Sequence, residues 1–238
     1  MAQKVLLKNL TTFDDKRLHF GFTLGVNTVD FHIDHYNVVG ENPLFNPSEL
    51  EVIGGNTIGS SSRIRADVAS LNPGFTVGIV TNLRLSDSFD LRFLPGMSFG
   101  ERKLTYNIPI EDINDSQNTG KSYSIKSTFL DFPLLLKYKS RRMNNQRPYL
   151  IAGGAYRIDI SKTGLEDLVR LKPFSSSIEA GMGWDAYLQF FRLSTEFKFS
   201  FGLDNILDNG PKAPLPQVYT NAFSRIASNM FILSFHFE

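Results

Sequence analysis

The chain has 238 residues, 21% of them charged, with a formal net charge of +1 and no cysteine. One all-β domain fits that length, the charge balance removes the bulk electrostatic case for a nucleic-acid partner, and disulfides and thiolate chemistry are excluded. Phe numbers 21 against a single Trp, a bias toward strands, and no stretch approaches the roughly 18 apolar residues of a membrane-crossing helix. The opening MAQKV has no charged-then-apolar leader. It fits a cytosolic chain or a mature exported one, and the strand pattern favours the second.

From Leu18 the period is two. Leu18, Phe20, Phe22, Leu24 and Val26 share one face; His19, Gly21, Thr23, Gly25 and Asn27 share the other. A strand sends successive side chains to opposite sides, so the segment has one apolar and one small, polar surface. Next, Phe75, Val77, Ile79 and Leu83 alternate with Thr76, Gly78, Asn82 and Arg84. After the turn LSDS, Phe89, Leu91, Phe93, Met97 and Phe99 oppose Asp90, Arg92, Gly96 and Ser98. Leu130, Phe132, Leu134, Leu136 and Tyr138 form a fourth apolar face, against Asp131 and Lys137. The fifth, Leu150 to Ile158, is weaker, with Ala152 and Gly154 on its apolar side. Ile178, Met182, Trp184 and Leu188 carry the sixth, and Phe191, Leu193, Phe197, Phe199 and Phe201 the seventh. Phe231, Leu233, Phe235 and Phe237 end the series.

Each of these eight segments has about the 9–11 residues of a tilted membrane-spanning strand. Residues 85–88, 139–147 and 189–190 connect them briefly; 34–69, 104–126, 160–175 and 204–228 connect them at length. Short periplasmic turns and long extracellular loops are the asymmetry of outer-membrane barrels. The alternative is a soluble barrel or sandwich. An eight-stranded barrel has an interior just filled by side chains, and about 35–40 large apolar residues would overfill it. The apolar face therefore belongs to lipid. The expectation is an all-β, eight-stranded, antiparallel up-and-down transmembrane barrel over 17–238, preceded by a periplasmic segment over 1–16, in the outer membrane with its lipid as partner.

The inward face carries Arg84, Arg92, Arg102, Lys137, Arg157, Arg192 and Lys198 against Asp90, Asp131, Asp159, Glu179, Asp185 and Glu196. A conduit would carry rings of one sign; near balance suggests a plugged bore, with Arg92, Asp131, Arg157, Glu179, Asp185, Glu196 and Lys198 as its network. In the hairpin closed at 189–190, an unslipped register sets Lys198 beside Gly181 and diagonal to Glu179. The C-terminal SFHFE is expected to close on the strand from Leu18 to Val26. Asp30, His32 and Asp34, on one face, and nearby His35 have donor types that suit zinc, but no further ligand is evident, and neither a metal nor a cofactor is expected. No H-E-x-x-H, P-loop or G-x-S-x-G motif occurs, and an acyltransferase or protease barrel would need an apolar inner pocket or a rim triad. The basic turn KSRRMNNQR puts Lys139, Arg141, Arg142 and Arg147 at the periplasmic rim, to meet phosphates or an acidic partner or simply to be solvated. Apolar residues in the long loops, with Pro214, Leu215, Tyr219 and Phe223 foremost, either contact a partner or pack the loops together.

Several stretches are more particular than barrel periodicity requires: KRLHFGFTLGVN, FDLRFLPGMSFGERKLTY, FLDFPLLLKYKSRRMNNQRPYLIAGG, EAGMGWDAYL, STEFKFSFGLDNIL and SFHFE. Together, from about Leu18 to Glu238, the sequence resembles the PorT family of Bacteroidota, also called SprT in gliding species. The resemblance implies an outer-membrane barrel required by the type IX secretion system, and by gliding motility where that occurs, with other secretion components as partners. It brings no catalytic motif. A structural or adhesive barrel acting through its extracellular loops is the alternative.

Overall fold

The computed structural model describes residues 8–43, 45, 51–53, 56–112, 115–161, 169–208 and 218–238. The strands are β1 (Leu18–His35), β2 (Glu51–Ile53), β3 (Asn56–Ile58), β4 (Ala66–Arg84), β5 (Phe89–Phe93), β6 (Gly96–Asp112), β7 (Asp115–Lys139), β8 (Gln146–Asp159), β9 (Phe174–Tyr187), β10 (Arg192–Gly202) and β11 (Phe223–Phe237), with a short helix α1 (Val218–Asn221) before the last. Strands β2 and β3 form a separate hairpin inside the first long loop. The others run β1-β11-β10-β9-β8-β7-β5-β4-β6, with β1 also pairing β4 and β7 also pairing β6. β5 and β6 are two halves of one stave, interrupted at Leu94 and Pro95, because proline donates no ladder bond. The sheet is thus a closed ring of eight staves.

Closure occurs where the terminal pattern places it. Phe22 pairs Phe237, Leu24 pairs Phe235 and Val26 pairs Leu233, with Phe22 and Phe237 stacked at 4.7 Å between ring centroids. A closed ring leaves no strand edge in lipid, where an unpaired backbone group costs several kcal/mol by order of magnitude. The apolar sets point outward: Phe20 is 63% exposed on the barrel wall and Met182 61%, while Thr23, Asn82, Ser98 and Ser194 are buried inside. Gly183 shows how the inside fits. A Cβ there would come within 2.2 Å of the Tyr149 ring, so glycine gives the tyrosine its place in the bore.

Strand lengths depart from expectation. The segment 104–126 is mostly hairpin, since β6 continues to Asp112 and β7 begins at Asp115. β4 begins at Ala66 and β11 at Phe223, inside spans read as loop. The reason is a change of solvent. Above the lipid belt the strands no longer show outward apolar residues, so period-two reading for an apolar outer face stops too early. One seam is also incomplete. β1 pairs β4 only as far as Thr28 and Pro73, beyond which Phe31 N–H donates to Asp30 Oδ1 at 2.8 Å and Val68 N–H to Asp67 Oδ1 at 2.9 Å.

Candidate functional site: the bore and its two mouths

Mid-bore, the alternation of β5, β8, β10 and β11 sends Arg92, Tyr149, Glu196 and His236 to one place. Arg92 Nη1 donates to Glu196 Oε2 at 2.6 Å, Tyr149 Oη donates to the same oxygen at 2.9 Å, and His236 Nε2 lies 3.4 Å from Glu196 Oε1. Toward the periplasm, Lys137 Nζ meets both Asp185 oxygens at 2.8 and 2.7 Å, and Ser194 Oγ donates to Asp185 at 2.5 Å. Lys139 pairs Asp90 at 2.5 Å, and Asn82 donates to the other oxygen of Asp90 at 3.0 Å. On the other side of the middle, Arg157 pairs Asp131 at 2.5 Å and Lys198 pairs Glu179 at 2.7 Å. Lys198 sits opposite Gly181 in the ladder, the register read from the hairpin.

All seven residues expected in the bore network are therefore inside and ion-paired. An ion taken out of water needs a partner of opposite charge, and this sequence supplies one mostly from neighbouring staves, while Arg92 Nε and Arg192 Nε are buried without a hydrogen bond. A residual cavity among Thr23, Asp131, Glu179, Lys198 and His236 measures about 20 Å³, room for roughly one water.

Several members of the bore escaped notice in the sequence. Lys139 and Arg147 read as rim residues, yet their odd numbers share the inward parity of Lys137 and Tyr149, and both are buried. Glu238 continues the inward parity of His236 and pairs with Arg192. The bore also contains apolar groups, Val80, Leu94, Leu135 and Ile151 beside Tyr149, so its face is less uniformly small and polar than expected. Leu135 was hidden in the run PLLLKYK, where apolar residues occupy both parities.

The extracellular end is closed by an apolar cap. Phe31, Val39, Ile58, Leu104, Tyr106, Leu171, Ile206 and Ile226 pack in it. Tyr219 and Phe223, candidates for partner contact, belong to this cap: they are 1% and 0% exposed and meet the Tyr106 ring at 5.2 and 6.0 Å between centroids. Their side chains pack the loops onto each other and are not on the surface. Pro214 and Leu215 lie outside the described residues. Beneath the cap Arg102 is fully buried, bonded to Ser127 at 2.9 Å and lying 3.9 Å over the Phe31 ring.

The donors considered for a metal diverge. Asp30 accepts the Phe31 amide, His35 Nε2 accepts the Ala66 amide at 3.1 Å, and exposed His32 lies 3.8 Å from Asp34. Among the described residues no group of three or more His, Asp or Glu side chains gathers as a metal site would require.

The periplasmic mouth holds the basic turn, and of its four basic residues only Arg141 is exposed. Arg147 Nη1 lies 3.5 Å and Arg142 Nη1 3.9 Å from Asp14 Oδ2, so both engage the segment that precedes β1. Arg147 also donates to the carbonyls of Ser140 and Asp87, at 2.7 and 2.6 Å.

A closed ring with an apolar belt outside and paired ions inside defines an integral outer-membrane barrel. Residues 1–208 match the family described as outer membrane protein β-barrel domain, and the chain belongs to that family and resides in the outer membrane. Among solved structures it is similar to the outer membrane protein OprG from Pseudomonas aeruginosa, with 13% identity over 93% of this chain and 95% of that one and a TM-score of 0.49. It is also similar to AlkL, solved in DMPC bilayers, with 13% identity over 100% of this chain and 96% of that one and a TM-score of 0.41. Ail of Yersinia pestis shares 9% identity over 93% of this chain and 98% of that one, with a TM-score of 0.35. No curated protein matches the chain.

Proposed function

We propose that this barrel is a non-enzymatic component of type IX protein secretion, acting as an accessory or assembly partner of a larger translocon. The observation that carries the reading is the ion-paired bore, in which Arg92–Glu196 and Lys137–Asp185 are fully buried. A bore so filled passes no polypeptide, so a role in export is exercised through surfaces. The resemblance carried by LRFLPGMSFGER and KYKSRRMNNQRPYL supports export as the context. The bore's ions pair with one another, an arrangement suited to stability more than to turnover.

Deleting the gene and following type IX cargo tests this. Cargo is expected to be retained in the cell and to be released again on complementation; normal secretion rejects the reading. The alternative, a structural or adhesive barrel, draws on the apolar core of the extracellular cap, which gives the loops a fixed shape. It predicts normal secretion with lost adhesion.

A further inference from the structure

Residues 9–16 form no ladder with the barrel, yet lie across its periplasmic mouth as a bound peptide would. The Phe13 ring stacks on His19 at 4.1 Å, meets Tyr187 edge-on at 6.2 Å, and has the Arg192 guanidinium 4.6 Å above it. The neighbouring Asp14 carboxylate accepts from Tyr187 Oη at 2.9 and 3.0 Å and faces Arg147 and Arg142. Its carbonyl accepts from Arg84 Nη1 at 2.5 Å. At the other end Asn9 donates to Asn145 Oδ1 at 2.9 Å and to the Tyr187 carbonyl at 3.0 Å, and accepts from Arg142 Nη2.

The walls of this site belong to the barrel and are built: Tyr187, Arg147 and Arg192 are 1%, 8% and 1% exposed. The segment is the loose party. Phe13 and Asp14 are only half-buried, their three-residue 3₁₀ turn has no buried residue, and Leu10 is held at φ 49°, which disfavours a side chain with a Cβ. Charge is also unequal. One carboxylate, Asp14, faces two guanidiniums, so a ligand with further acidic groups would be held more strongly.

The geometry points to the periplasmic mouth as a peptide-docking site, occupied in cis by Phe13 and Asp14 as a tethered stand-in for an acidic, aromatic-bearing segment of a periplasmic protein. The aromatic enters the socket of His19, Tyr187 and Arg192, and acidic side chains meet Arg142 and Arg147. Release of the cis segment and docking of the partner are one exchange. This assignment does not rest on the export reading, since it concerns only this chain and an acidic peptide.

A tethered occupant acts at an effective concentration in the millimolar range, so it strongly suppresses a free competitor. The test uses the full chain in lipid nanodiscs and a labelled peptide of sequence NLTTFDDKR, that of residues 9–17. The Phe13→Ala/Asp14→Asn barrel is expected to bind it at least about tenfold more tightly than the unaltered barrel. The peptide with Ala and Asn at the corresponding positions should bind neither. A second pair of measurements leaves the occupant's own side chains intact: cysteines replacing Asn9 and Asn145, which touch, should abolish peptide binding when oxidised and return it, when reduced, to the weaker level of the unaltered barrel. Equal binding to the unaltered and doubly substituted barrels, or binding unaffected by the disulfide, overturns the proposal. So does failure of the peptide to bind both the doubly substituted barrel and the reduced cysteine barrel.

Discussion

The lower and upper halves of β1 keep the same alternation and reverse its chemistry. In the lower half Phe20, Phe22, Leu24 and Val26 stand exposed on the outside while Thr23 and Asn27 are buried inside. Above Thr28 the outward positions are Asp30, His32 and Asp34, and Phe31 is buried inward. The backbone does not turn over between them; the medium outside does. In the lipid belt the outer wall satisfies the hydrophobic requirement, which leaves the bore free to hold ions. Above the belt water wets the outside, so the apolar core must move inward, and the cap around Tyr106 and Phe223 is that core. One molecule therefore has a polar core with an apolar shell and, stacked on it, an apolar core with a polar shell.

The largest expected effect comes from breaking the polar core. Arg92→Met leaves Glu196 buried without its guanidinium, and removing one member of a buried pair costs about 3–5 kcal/mol. Urea titration of the barrel refolded in lipid should show that loss, and Arg92→Met/Glu196→Leu should recover much of it. If the single and double variants unfold alike, the charges are not the organising contacts of the bore.

The shell is the next target. Phe197 faces lipid on β10 and is 45% exposed; an arginine there costs about 2–4 kcal/mol near mid-bilayer and less toward an interface. Membrane-folding yield measured by heat-modifiability in gels should fall for Phe197→Arg and stay near normal for Phe197→Leu. Equal yields would place β10's faces the other way round.

The cap should yield separately. Ile226, fully buried there, loses about 0.5–1.5 kcal/mol on change to Val. Hydrogen exchange should then quicken at amides around Tyr106 and Phe223 and remain unchanged in the belt strands. A uniform change would mean that cap and belt open as one unit. Smallest of all, His32→Ala should alter stability by no more than about 0.5 kcal/mol, because His32 is exposed and its one ion-pair contact is long. A drop of several kcal/mol on chelator treatment, lost in His32→Ala, would instead reveal a metal.

Much of this was legible beforehand because the belt obeys one simple rule. Where lipid lies outside, apolar residues recur at every second position, so parity assigns Phe22 outward and Thr23 inward; the short turn at 189–190 then sets Lys198 against Gly181, and the need to close the ring brings SFHFE to the strand from Leu18 to Val26. Parity could also have placed Lys139, Arg147 and Glu238 in the bore, but their nearness to a turn or a terminus concealed it.

What only the tertiary structure decided lies at the two ends. That Tyr219 and Phe223 pack into a cap depends on contacts between loops more than 100 residues apart in sequence, such as Tyr106 with Tyr219, and no local pattern records them. That Arg142 and Arg147 hold Asp14 depends on the ring closing, which brings the segment before β1 to the turn between β7 and β8. The sequence by itself determined the wall, because lipid and bore act on each residue separately. The cap and the mouth were decided by which distant residues the closed ring makes neighbours.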